Sequence, residues 1–468
     1  MSETNSTLKM EQGAGRAAWT RELRALLAIG LPMGLTQLVQ FSINTVDVLM
    51  IGRLGPAPLA ASSLGLVIVY MMFLVGLGPA MAISPLVSQA LGANRENYGD
   101  VRISIRMGLW ATLLIFPALV PIILNAEEIA LALGQPEILA RLAGPYVIAI
   151  GPSLPFMLAV IILRNFLAAI DRTRAPLVII VFTTLENAFL NYLLIYGSWG
   201  APRLELVGAG IASVIAHATG FGLLVLYIHA DKRAAAFEIF KDFFIPHWAR
   251  VKDIVRLGWP IGAALAFELL LFNAAVFLMG RIGVNEVAAY QVALNVAALA
   301  FMMPLGLSMA GGVRVGLAAG AGDRAGVRRA ALVTILVCAF VMIAFWLPAM
   351  LAPGVVGGFY LEADKPENAA VLALVASFLP IAAAFGLFDA TQVAAIQCLR
   401  GLKDVRVPMA IAGFAYWLVG FPIAAGLGLH TELGGVGVWW GLLAALGSAA
   451  LLLSVRLYWI TREKSRAA

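Results

Sequence analysis

The sequence predicts an all-α polytopic membrane protein with twelve transmembrane helices in two pseudo-symmetric six-helix bundles. Composition gives the first reason. Of 468 residues, 62% are hydrophobic and only 12% are charged, with 46 glycines and a mean hydropathy of +0.92. A soluble domain does not carry that balance, whereas a chain surrounded by lipid does. The second reason is the number of long apolar runs. The third is an internal repeat: shifting the numbering by 228 lays Trp259 to Gly283 on Leu31 to Gly55. Pro32, Gly34, Gly52, Arg53 and Gly55 then fall on Pro260, Gly262, Gly280, Arg281 and Gly283. Repeated halves are a recurrent architecture of secondary transporters.

Apolar windows place the spans at 25–51, 63–90, 104–125, 143–163, 176–197, 206–229, 254–280, 288–313, 330–352, 369–399, 408–428 and 435–460. Each is close to the roughly 20 residues that a helix needs to cross the hydrocarbon layer. The first run is a full span with no small-residue cleavage site, so it is expected to stay in the protein. Of 32 Lys and Arg residues, the odd-numbered loops hold five: Arg53, Arg141, Arg203, Arg281 and Lys365. The other 27 fall in the tails and even-numbered loops, an asymmetry that puts both termini in the cytoplasm. The net charge of +6 then needs no nucleic-acid partner, because those loops face anionic inner-leaflet lipid.

The expected organisation follows from the spans. Residues 1–24 form a cytoplasmic tail, 25–230 the N-terminal lobe with spans 1–6, 231–253 a cytoplasmic inter-lobe linker, 254–460 the C-terminal lobe with spans 7–12, and 461–468 a second tail. The linker is the longest charged connection, and its FEIFKDFFIPHW core is either a surface-lying amphipathic stretch or a plain connector. The repeat recurs further on, where LAAIDRTRAP (167–176) resembles LRGLKDVRVP (399–408). With six spans per half, equivalent helices keep one orientation, and the two halves run parallel.

Four acids fall within spans: Asp47, Glu186, Glu268 and Asp389. At mid-membrane a carboxylate costs about 2.5–3.5 kcal/mol, so such residues face protein or a wet cavity and mark a pathway. The span limits leave no Lys or Arg at mid-span to pair with them. A carboxyl removed from water without a basic partner takes a proton more readily, or holds another cation instead. A proton or sodium ion and a cationic cargo can then compete for one charge, which is the chemistry of an antiporter.

Polar spacing extends the site. Gln37, Gln40, Asn44 and Asp47 recur at intervals of three and four and make one stripe on span 1. Glu268 falls at the repeat level of Gln40, two turns or about 10 Å from the Asp47 level. Gln291 and Asn295 align on span 8, Phe385, Asp389 and Gln392 on span 10, and Thr184, Asn187 and Asn191 on span 5, where Glu186 points to an adjacent face. Amides at these positions either support the acids or brace helices to one another. Phe267, Phe272, Phe385 and Met302, with Gln37, are candidate linings of a cargo cavity, or simply packing. His217 is a proton relay or a bonded core residue. Trp199, Trp248, Trp259, Trp346, Trp417 and Trp459 lie near span ends, as in an interfacial belt.

Other classes find little support. There is no glycine-rich phosphate loop, no His-Glu-x-x-His helix and no Gly-x-Ser-x-Gly elbow, so no enzyme activity or ATP-driven pumping is expected. Cys338 and Cys398 lack ligand spacing, which speaks against redox or metal roles. A flippase for a lipid-linked precursor is an alternative, but it requires a basic cavity; an uptake carrier for an unknown cation is another.

Four segments carry a family resemblance: TVDVLMIGRLG (45–55), LNYLLIYG (190–197), AAYQVALNVAALAFMMPLGLSMAGGVRVG (288–316) and IQCLRGLKDVRVP (396–408). The chain resembles the multidrug and toxic compound extrusion (MATE) family, in its bacterial NorM-like branch, over all twelve spans. The resemblance implies a V-shaped fold of two six-helix bundles. It also implies export of small organic cations, such as dyes and fluoroquinolone-like drugs, in exchange for H⁺ or Na⁺, by a monomer without cofactors. Glu268 and Asp389 match the family's cation-binding acids, with Na⁺ as a possible ligand, and Asp47 matches the acid of the N-terminal lobe. Asn187 and Asn191 match polar residues near that acid. Two departures stand out: Phe385 replaces a frequent tyrosine, and Glu186 is an acid at an apolar position. Losing the tyrosine hydroxyl removes a sodium ligand and favours H⁺.

Overall fold

The computed structural model describes residues 2–351, 356, 358, 365 and 368–463. Of the expected C-terminal tail, residues 464–468 lie outside the described residues. The N-terminal half holds α1 (Ser2–Gly52), α2 (Pro56–Ala93), α3 (Tyr98–Leu124), α4 (Ala126–Ala132), α5 (Glu137–Ile150), α6 (Ser153–Ala169), α7 (Arg174–Tyr196), α8 (Glu205–Ala230) and α9 (Lys232–Ala235). The C-terminal half holds α10 (Trp248–Ile282), α11 (Val284–Gly320), α12 (Arg324–Leu351), α13 (Ala369–Gly401), α14 (Arg406–Gly413), a π-helical turn (Phe414–Gly420), α15 (Phe421–His430) and α16 (Gly435–Glu463). Among the described residues there is no strand.

Among the described residues, eleven helices are long and apolar enough to cross a membrane, and the pair α5 and α6, bent by 46°, makes a twelfth if it is one span. The bend has a local cause. Gly151 and Pro152 separate the two helices, and proline has no N–H to continue the ladder of α5. Lipid explains why all this backbone is helical, since no water is present to satisfy a free N–H or C=O. Between α1 and α2 the chain turns at Gly55, whose φ of 118° excludes a side chain at little cost only for glycine, and Pro56 starts the next helix.

The chain forms two compact units, Thr36–Ala263 and Met1–Leu35 with Ala264–Ala468. Both divisions fall inside long helices, α1 and α10. In the first unit, Met72, Tyr146, Val147 and Leu154 lie at the centre of a buried core. Here the opening turns of α10 cross α2 with no side chain between them: a Cβ on Gly78 would lie 2.2 Å from the Gly258 carbonyl oxygen. The 231–253 segment also belongs to this unit and is pinned to α3. Arg102 Nε donates to Phe237 O at 2.9 Å, Arg106 Nη1 to Lys241 O at 3.1 Å, and Trp110 Nε1 to Phe243 O at 2.7 Å. Phe237 is buried edge-on to Phe166.

In the second unit the core gathers Leu307, Tyr290, Phe378 and Trp439. Around Gly34, α1 crosses α11 just as α10 crosses α2: a Cβ on Gly306 would lie 2.2 Å from the Gly34 nitrogen. Gly78 and Gly306 are themselves 228 residues apart, so the crossing is a repeated feature. Arg314 fastens it, giving both oxygens of Glu22 a hydrogen bond at 2.8 and 2.7 Å. The expected tryptophan belt is corrected at one position. Trp199, Trp248, Trp259 and Trp459 are exposed as a belt requires, but Trp346 is buried against Gly386, where any larger residue would meet its indole.

Candidate functional site

Glu268 and Asp389 open onto one cavity of about 380 Å³ within the second unit. Three helices wall it. From α10 come Glu268, Phe272, Asn273 and Val276, from α11 Gln291, Phe301 and Met302, and from α13 Phe385 and Asp389. The spacing explains the convergence: residues four apart on a helix share a face, and Glu268, Phe272 and Val276 follow that period, as do Phe385 and Asp389. Asp389 is buried and its Oδ1 has no hydrogen-bond partner among the described residues. A buried carboxylate oxygen without a donor is costly, which suits a group that binds a proton or cation at some stage of its work.

The aromatic wall is fixed from behind. Phe272 stands at 62° to Phe385 with centroids 6.0 Å apart, and Phe385 meets Trp439 edge-on at 5.5 Å. One turn beyond Asp389, Gln392 accepts a short hydrogen bond from the Tyr416 hydroxyl, so that amide is occupied by its own unit. Buried Arg400, on the same helix, extends its positive field to Glu268. Asn295 and Phe267 are not on this cavity. Asn295 is exposed and falls outside the lining, which continues along α11 from Gln291 through Leu294, Ala298 and Phe301, and the Phe267 ring packs beside Gly413.

The first unit carries a different polar system. Asn191 Nδ2 donates to Asp47 Oδ1 and, at 3.2 Å, to Asn187 Oδ1. Asn44 donates to the Tyr70 hydroxyl at 3.4 Å. Glu186 stands apart from this group, as its adjacent face suggests. Thr219 donates to its Oε1 at 2.9 Å, which ties α7 to α8, while Oε2 is buried without a hydrogen-bond partner among the described residues. The His217 Nδ1 is bound to the Ser213 carbonyl oxygen at 2.6 Å, one turn back on α8.

The span 1 stripe meets a basic residue that the expected limits left one position outside span 4. Arg164 belongs to α6, five residues before its end, and donates from Nη2 to Gln37 Oε1 at 3.0 Å and from Nη1 to Gln40 Oε1 at 3.1 Å. Gln37 and Gln40 are therefore partners of a guanidinium, and Gln40 lines a small pocket of about 50 Å³ with Arg164, Thr183, Asn187 and His217. Arg164 was missed because the apolar window of span 4 closes at residue 163. α6 continues to Ala169, so Arg164 falls inside the helix.

Comparison with known proteins bears on the family and the fold. The family model MatE matches residues 32–193 and 260–425. A probable multidrug resistance protein NorM of Rhizobium meliloti is 41% identical over 455 residues, covering 96% of each chain. The multidrug resistance protein NorM of Burkholderia vietnamiensis is 36% identical over 432 residues, covering 92% of each. Among solved structures, the eukaryotic MATE transporter AtDTX14 superposes with a TM-score of 0.81 at 21% identity, covering 96% of this chain and 99% of that one. An outward-facing multidrug resistance MATE family transporter superposes at 0.84 with 19% identity, covering 95% and 97%. At such identities the superpositions speak for the fold alone.

Proposed function

The chain belongs to the MatE family, and from that premise we propose that it is a secondary active transporter of the bacterial inner membrane, exporting small organic cations in exchange for H⁺ or Na⁺. One observation carries the reading: Glu268 and Asp389 share a cavity in a membrane-spanning chain, beside aromatic and methionine side chains. The carboxylates attract a cation, and Phe272, Phe301, Phe385 and Met302 give its apolar body an adaptable surface. The pair cannot neutralise a cargo cation and the coupling ion equally well at once. When a proton or Na⁺ occupies the pair the cargo is released, and when the coupling ion departs to the other side of the membrane the pair regains its affinity.

This competition is the coupling. A channel would not need it, because exchange requires that the cavity open to one side at a time with one occupant or the other. Phe385 favours H⁺ over Na⁺, since no phenol oxygen stands one turn before Asp389 to complete a sodium shell, and sodium is held by several oxygens while a proton needs one.

The test is movement of a fluorescent organic cation in proteoliposomes under an imposed proton gradient without sodium. Uphill transport by the wild type, reduced tenfold or more in Glu268→Gln and Asp389→Asn, is the expected result. Equal rates in all three proteins would overturn the assignment of the acids, and transport under a sodium gradient alone would reassign the coupling ion.

A further inference from the structure

The 231–253 linker borders an apolar groove on the first unit. Leu109 and Leu113 of α3, Phe156 of α6 and Phe221 of α8 line it, together with Phe240 and Phe243 of the linker. The space is about 270 Å³, room for a stretch of hydrocarbon. Thr112 on its wall spends its hydroxyl on the Gly108 carbonyl oxygen at 3.3 Å, so a polar ligand finds no partner there.

In a membrane-spanning chain such a groove meets lipid tails, but tails are as apolar as the surfaces they touch, and apolar contact alone selects nothing. What sets this groove apart is the charge at one end. Arg106 precedes Leu109 and Leu113 on one face of α3, at spacings of three and seven. It is buried, its Nη1 donates to the Lys241 carbonyl oxygen at 3.1 Å, and its Nε has no hydrogen-bond partner among the described residues. The acids around it do not balance it. Glu238 already serves both Arg102, at 2.8 Å, and Lys241, at 3.1 Å, and even with exposed Asp242 counted the cations outnumber the acids. A buried guanidinium without a counter-charge is costly, and a phosphodiester supplies one.

The depth fits the same occupant. Leu113 lies two turns past Arg106, about 10 Å along α3, which keeps the groove within one leaflet of about 15 Å. On the linker side, Phe244, Ile245 and Trp248 are exposed, as apolar side chains among lipid headgroups are.

We propose that this groove holds an anionic phospholipid of the leaflet that the linker faces, with one acyl chain between Leu113 and Phe243 and its phosphodiester beside Arg106. The charge of the lipid then helps to fasten the linker to the helices of the first unit. The inference is independent of what the chain transports.

Trp110 is the reporter, because its Nε1 donates to Phe243 O at 2.7 Å and its ring centroid lies 6.3 Å from that of Phe243. The purified full chain in detergent is titrated with phosphatidylglycerol and with phosphatidylcholine, each brominated at mid-chain, and tryptophan fluorescence is read, since bromine quenches an indole on contact. Trp110→Phe, titrated alike, gives the background of the other tryptophans. The wild type is expected to show a saturable quench that the anionic lipid produces at least about fivefold more tightly than the zwitterionic one, the selectivity that one basic residue gives at a membrane surface. That component disappears in Trp110→Phe. In Arg106→Gln the preference falls to a ratio near one, and Arg106→Lys, which keeps the charge, restores it. Should Arg106→Gln fail to fold, the wild-type ratio and Trp110→Phe carry the test. A wild-type ratio near one, a preference that persists in Arg106→Gln, or a saturable component that survives in Trp110→Phe overturns the proposal. So does displacement of the lipid by a permanent dye cation, which would assign the groove to cargo, or dimerisation in light scattering without lipid uptake, which would assign it to a second copy.

Discussion

Asn191 on α7 donates its side-chain amide to the Asp47 carboxylate on α1, and the same nitrogen serves Asn187 one turn away. One amide thus orients the acid and its neighbour together. Replacing it by alanine leaves Asp47 Oδ1 without this donor, at a cost of about 1–3 kcal/mol. Asn191→Ala is therefore expected to melt below the wild type in detergent. Asp47→Asn keeps an oxygen for Asn191 to meet, so it should lose less stability while losing the charge. Melting curves of the two purified variants check the order.

Phe385 supplies a second prediction, since its ring already lies on the cavity wall one turn before Asp389. Phe385→Tyr adds an oxygen there. Sodium is expected to stimulate dye transport in this variant at least about threefold more than in the wild type, because an extra oxygen ligand favours a hard cation. Transport under matched sodium and potassium gradients measures the difference, and an unchanged ratio would remove the argument that the missing hydroxyl favours protons.

The backbone crossing at Gly306 gives a third. In Gly306→Ala the new Cβ would meet the backbone of Gly34, which cannot move without carrying α1, so the variant should lose at least about 1–3 kcal/mol. Gly426, in α15, is the contrast, with nothing within 4 Å of an added Cβ. Gly426→Ala should be neutral or slightly stabilising through helix propensity. Thermal unfolding monitored by size-exclusion chromatography distinguishes the pair.

A fourth concerns acid. Partial burial pushes the Asp231 carboxyl up, but hydrogen bonds from the Ala234 N–H, from Arg172 at 2.9 Å and from the Arg233 N–H outweigh it and hold it below the ordinary carboxylate value. A depressed acid stabilises the fold above its unfolded value, about 3.9, and that contribution disappears as pH falls through the folded value. Asp231→Asn preserves the cap of α9 and removes only the charge. The wild type should thus melt above Asp231→Asn at pH 6 by a small margin, and the margin should vanish by about pH 3. Melting across that range is the measurement.

The helices were legible in the sequence because lipid imposes one demand everywhere, an apolar run of sufficient length with its backbone satisfied internally. The glycine crossing is repeated at the 228-residue offset that Pro32, Gly34 and their partners at 260 and 262 mark in the sequence. Glu268 and Asp389 could be paired because a carboxylate in such a run has few reasons to be there. What sequence reading missed depended on bends and faces. Arg164 looked like a loop residue because an apolar window stops at a charge, whereas α6 runs on to Ala169. Asn295 and Gln291 looked equivalent because a one-turn spacing fixes a shared face only approximately, and the cavity is narrower than the face. Trp346 looked interfacial by position along the chain, but Gly386 opposite it makes room in the core.

The glycine crossings bear on what each half lacks by itself. The first 35 residues pack with 264–468, and the turns around Gly258 pack with the N-terminal helices. A protein severed at the charged seam near residue 240 would yield two fragments, each retaining a piece that completes the other and each exposing a bare glycine surface, Gly78 in one and Gly306 in the other. In such fragments the helix that covers each glycine surface is carried by the other, so each depends on its partner to bury it.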